Sequence, residues 1–146
     1  MNYFKAAEQV LSSVPALEQA LDNLKRREQR LLDSGKPREL GGVDYGKPFT
    51  DTSHVSDTLN EMLAVAECEK DLAETRAKLE EIHGILEQLS EDKKKVLLLW
   101  YMKKCRKEAI LEELRVESLV TVYNLRNRAV AEFALLYYGA PALASI

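Results

Sequence analysis

The residues best suited to bind a partner through charge lie in the last third of the chain. Lys103, Lys104, Arg106 and Lys107 fall within five positions, and Arg126 and Arg128 follow about twenty residues later. Between them, Ser118, Val120, Thr121 and Asn124 sit early in a stretch with helical periodicity. Long flexible cations suit the phosphate oxygens of a nucleic acid, and short hydroxyl and amide side chains suit base edges. The charge balance points the same way. Residues 93–146 carry ten Lys and Arg against five Asp and Glu, whereas residues 51–92 carry three against twelve. A basic end beside an acidic middle suggests two tasks on one chain.

Those cations need helices to hold them. Ser90 is placed as an N-cap, with Glu91 and Asp92 in the first turn, where carboxylates oppose the positive end of the helix dipole. A helix from about 91 to 104 is predicted to bury Val96, Leu97, Leu99, Trp100 and Tyr101. A second, about 107–114, buries Ile110, Leu111 and Leu114. A third, about 118–138, turns Leu119, Val122, Leu125, Ala129, Phe133 and Leu136 to one face before Gly139 and Pro141 stop it. Three helices with a short break between the second and third form a helix-turn-helix arrangement, in which the last helix offers its outer face to the major groove.

The stretch 89–133 resembles the region-four DNA-binding module of sigma-70-type factors. The resemblance rests on "SEDKKKVLLLWYM", "KEAILEEL" and "TVYNLRNRAV". The wider layout is similar to small phage-encoded transcription regulators of the RinA/ArpU kind. The resemblance implies a phage or prophage regulator that binds double-stranded promoter DNA. Ser118, Thr121, Asn124, Arg126 and Arg128 would lie at the groove, and Lys103, Lys104, Arg106 and Lys107 on phosphates. The sequence departs from the module at three points. Arg115 stands where the turn usually has Gly, Leu111 stands where the second helix usually has Ala, and the stretch from Leu114 to Thr121 is one residue longer. A reshaped turn is expected.

The first two thirds are simpler. Ala7, Val10, Val14, Leu17, Leu21, Leu24, Glu28 and Leu31 alternate three and four apart, one stripe along a helix that Pro15 is expected to kink or restart. Val65, Cys68, Leu72, Thr75, Leu79, Ile82, Leu86 and Leu89 repeat the pattern, with Thr58 and Glu61 as a capping box or Ser53 or Ser56 as an earlier cap. The stretch 34–53, rich in Gly and Pro, reads as a loop in which Tyr45 and Phe49 would pack on the helices or serve as a partner's handhold. The fold expected is all-α: a long antiparallel helical hairpin over 3–88, then a helix-turn-helix module over 89–139. A hairpin leaves one side of each stripe uncovered, so it is assigned to dimerisation or to contact with RNA polymerase.

Several classes are excluded. Hydrophobic residues make up 46% and charged residues 31%, and Gly and Pro total ten, which argues against collagen-like or disordered chains. No basic start with an apolar core marks a signal peptide, and no apolar run nears the roughly 20 residues of a membrane span. Cys68 and Cys105 lack metal-binding spacing and fit reduced thiols of the cytoplasm. His54 and His83 have no ligand partner one helical turn away, and no glycine-rich phosphate loop occurs, so no metal, cofactor or enzymatic activity is expected. Two alternatives to a DNA-binding regulator stay open: a helical interaction protein whose helix-turn-helix no longer binds DNA, and a small terminase-like DNA-packaging subunit.

Overall fold

The computed structural model describes the backbone of residues 1–34 and 53–145 and the side chains of 1–34 and 57–144. The expected loop, with Tyr45 and Phe49, lies outside the described residues. Everything described is helical or short connection, with no strand among the described residues. In chain order the elements are α1 (Tyr3–Ser34), α2 (Ser53–Glu87), α3 (Glu91–Leu97), a π-helical turn (Leu98–Met102), α4 (Lys107–Leu114), α5 (Leu119–Tyr138) and a closing 3-10 turn (Ala140–Ser145). No described helix is long and apolar enough to cross a membrane.

Both long stripes do what their spacing demands. Every apolar position of the first is buried or half-buried in α1, and every position of the second is buried or half-buried, Leu89 just beyond the end of α2. Pro15 neither ends nor restarts α1, which runs through it. A helix tolerates this at the loss of one backbone hydrogen bond and some steric crowding. Because α2 begins at Ser53, Thr58 lies inside it and cannot be its N-cap.

The chain divides into two compact units. Residues 19–76 form the smaller one, in which the Cys68 thiol is buried and donates to the Leu24 carbonyl at 3.4 Å. Residues 1–18 and 77–146 form the larger. Its core is filled by Leu11, Ile82, Leu97, Ile110, Val122 and Phe133, each nearly inaccessible to solvent. Removing a side chain of this size from such a position typically costs about 2–5 kcal/mol. Within this unit α3, α4 and α5 pack on one another. The division cuts through both long helices rather than falling between 88 and 89.

The end of the first C-terminal helix differs from expectation. It does not continue as α-helix to Lys104; it widens into the π turn, where Lys103 N–H donates to the Leu98 carbonyl at 2.9 Å. Lys104 then takes a left-handed conformation, φ 50°, and Cys105 N–H closes back on the Leu99 carbonyl at 2.9 Å. Leu99 and Tyr101 in this turn are both buried. At the far end, Gly139 (φ 76°) stops α5 in a conformation costly for a residue with a Cβ. Ala142 then folds back fully buried.

Candidate nucleic-acid interface

The connection from α4 to α5 fixes what the last helix can present. α4 ends with Arg115 as its C-cap in the left-handed region (φ 57°, ψ 40°), and the Arg115 and Val116 N–H groups donate to carbonyls of the last turn. This is the conformation for which glycine is usual. Arg115 adopts it at a steric cost of about 1–2 kcal/mol. Ser118 is the N-cap of α5, and its hydroxyl accepts from the Val120 N–H at 3.2 Å. Such a cap contributes about 1 kcal/mol and sets where the helix starts. Lys95 braces the turn from α3: its ammonium donates to the Glu113 carbonyl at 3.0 Å. Lys93 is paired with Glu132, joining α3 to α5.

α5 buries Val122, Ala129, Val130, Phe133 and Ala134, with Leu125 half-buried. Leu119 and Leu136, expected on that face, are exposed instead, as they lie at its edges near the helix ends. Leu111 and Leu114 of α4 are half-buried, and Ile110 alone is fully enclosed there.

Of the residues singled out for binding, most face solvent. Ser118, Thr121, Asn124 and Arg128 are exposed, and a helix of 3.6 residues per turn puts Thr121, Asn124 and Arg128 on one side of α5. Lys103, Lys104, Arg106 and Lys107 are exposed in the segment ahead of and opening α4. Asn127, which the sequence reading passed over, joins the outward set, as does Val120 at 65% exposure.

Arg126 is the exception, and its expected place at a groove is corrected. Its side chain is only 18% exposed. One guanidinium N–H group donates to the Glu8 carboxylate and to the Tyr101 hydroxyl, each at 3.4 Å, and Tyr101 itself donates to Glu8 at 2.8 Å. The guanidinium plane lies on an aromatic pair: its carbon is 4.6 Å from the Trp100 ring centroid and 5.9 Å from that of Tyr123. Trp100 and Tyr123 meet edge to face at 5.4 Å. Position supplies the reason. Arg126 is four residues after Val122 and seven before Phe133, so it shares the buried face of α5. Lys107 completes the cluster from the opposite end, with its ammonium 4.9 Å from the Tyr123 centroid.

Electrostatics within the cluster are lopsided. Burial pushes the Tyr101 hydroxyl up to about 12, with the Arg126 hydrogen bond opposing that rise and Glu8 adding to it. The Arg126 Nε is buried without a protein partner. A lost hydrogen bond of that kind costs roughly 1–3 kcal/mol, which the stacking on Trp100 partly offsets.

The arrangement can grip phosphates with its exposed cations and present hydroxyl and amide groups to base edges. Among the described residues no cluster of three or more His, Cys, Asp or Glu side chains could hold a metal ion. No family model, no curated protein and no solved structure matches this chain.

Proposed function

We propose that the chain is a DNA-binding transcription regulator, of phage or prophage type as the sigma-like resemblance implies, that docks α5 in the major groove of double-stranded DNA. In this reading α3, α4 and α5 make a helix-turn-helix, and α1 and α2 make a hairpin that serves association with a second copy or with RNA polymerase. The observation that carries it is the outward strip of Thr121, Asn124, Asn127 and Arg128, which opens at the Ser118 cap and stands on the same trihelical packing as Lys103, Lys104, Arg106 and Lys107. Helix-turn-helix recognition needs this combination: a rigidly packed last helix, polar groups early on its outer face, and cations at the edges. Arg126 leaves the contact set and becomes the residue that locks α5 to Trp100, Tyr101 and Glu8.

A second reading has its own observation. Leu119 and Val120 are exposed at the start of α5, where a groove-reading helix would place polar side chains. Apolar groups there suit a protein partner, and Val120 also suits the methyl group of thymine.

Titrating a labelled random-sequence duplex by fluorescence anisotropy, at low and at physiological salt, separates the two. Binding that weakens steeply with salt supports the DNA reading, because neutralised phosphates release counterions. An absence of binding even at low salt rejects it in favour of a protein partner.

A further inference from the structure

Within the 19–76 unit, α2 carries two apolar faces, and only one is covered. Val65, Cys68 and Leu72 form the covered face. Leu59, Leu63, Ala66, Lys70 and Ala73 recur at intervals of four and three, the spacing of a coiled-coil seam. At about 100° per residue the two faces lie roughly 150° apart, with Met62 and Ala66 also bordering a concavity lined by Leu31, Leu32 and Val65. Leu59, Met62 and Leu63 are 55%, 64% and 61% exposed, and Ala66, Lys70 and Ala73 are exposed with them. Three large apolar side chains grouped on one helix face are more than scattered surface leucines.

We infer that this face is covered by the same face of a second copy, with the two α2 helices antiparallel about a two-fold axis near residue 68. It deepens the association part of the reading above and does not rest on DNA binding. Size complementarity carries the register. Leu63 falls opposite Ala73 of the second copy, and Ala66 falls opposite Lys70, so each long side chain meets a methyl group and the axes can approach closely. Charge complementarity fixes the direction. Lys70 then lies between Glu67 and Glu69 of the second copy, both of which are exposed on the flanks of the seam. A parallel pair would set Lys70 against Lys70 and Leu63 against Leu63, losing both matches. A polar residue in an apolar seam is a common device for specifying register and orientation. Because the surface is the same on both partners, the contact closes on itself and stops at two chains.

The test is sedimentation equilibrium of the full chain without DNA, with wild type expected at twice its 16.6 kDa mass. Leu63→Glu should give a monomer with unchanged far-ultraviolet circular dichroism. Lys70→Glu alone, and Glu67→Lys/Glu69→Lys alone, should each weaken the dimer at least tenfold, since like charges then meet across the seam. Mixed together, these two variants should form a heterodimer, because every cross-seam pair is again of opposite sign. A monomeric wild type, a larger assembly, a dimer indifferent to these changes, or a mixture that stays apart would overturn the proposal. DNA titration of the monomeric Leu63→Glu chain judges the groove reading separately.

Discussion

The Arg126 guanidinium rests on the indole of Trp100, 4.6 Å from the ring centroid, with the Glu8 carboxylate 3.4 Å from its nearest nitrogen. These contacts make one arginine of α5 a tie between α1, the π turn and α5 itself. A charge that reads as a ligand contact from the local sequence is, in the fold, part of what holds α5 in place.

Arg126→Ala should therefore act on stability first. It removes the cation beside Glu8, which keeps its Tyr101 hydrogen bond, and empties the space over the Trp100 ring; the expected loss is roughly 1–3 kcal/mol, read by urea denaturation. Arg126→Lys should recover only part of it, because an ammonium does not reproduce the planar stacking and forked donors of guanidinium. A variant as stable as wild type would show that the tie contributes nothing.

Tyr101 gives a pH signature. Its hydroxyl titrates near 12 in the fold against about 10 in an unfolded chain, so the folded state holds the proton more tightly. Its contribution is complete below pH about 10 and is lost as pH rises from there through about 12. Thermal melts should show stability falling over that window, and Tyr101→Phe should flatten the part of the fall that belongs to this group. The same residue should appear as a late component in ultraviolet titration of the tyrosines.

The left-handed Arg115 offers a change in the other direction. Arg115→Gly removes the Cβ clash at φ 57° and should stabilise the fold by about 1 kcal/mol, less the entropy that glycine adds to the unfolded chain. A decrease in melting temperature would mean that the Arg115 side chain contributes more than its backbone strain costs.

Burial on α5 is checked by two kinds of truncation. Phe133→Ala should cost about 3–5 kcal/mol, whereas Leu136→Ala, on an exposed side chain, should stay near neutral. Equal losses at the two positions would place Leu136 in the core after all.

Much of this was legible from residue spacing. The α1 and α2 stripes are readable because period and burial are the same fact on an amphipathic helix, Ser118 and Gly139 mark boundaries through their cap chemistry, and Ser90 stands at the start of α3 without a side-chain capping bond. What escaped had competing signals. The charge of Arg126 suggests an outward position, whereas its spacing from Val122, Ala129 and Phe133 puts it on the buried face. The chemistry of Leu119 and Leu136 suggests burial, whereas helix ends leave such positions open. The π turn, closed by the Lys103 N–H bond to the Leu98 carbonyl, has no signature in composition. The outer seam of α2 was hidden by the stronger stripe across from it.

In the proposed reading Lys103, Lys104 and Arg106, all exposed, are contacts to DNA phosphates. The most direct measurement is the slope of log binding constant against log salt for a duplex, compared between wild type and Lys103→Ala/Lys104→Ala/Arg106→Ala. Wild type is expected to show a negative slope that becomes shallower by about 0.9 for each phosphate contact removed, at unchanged protein stability. A wild-type chain that does not bind duplex DNA, or a slope that the triple variant leaves unchanged, would contradict it.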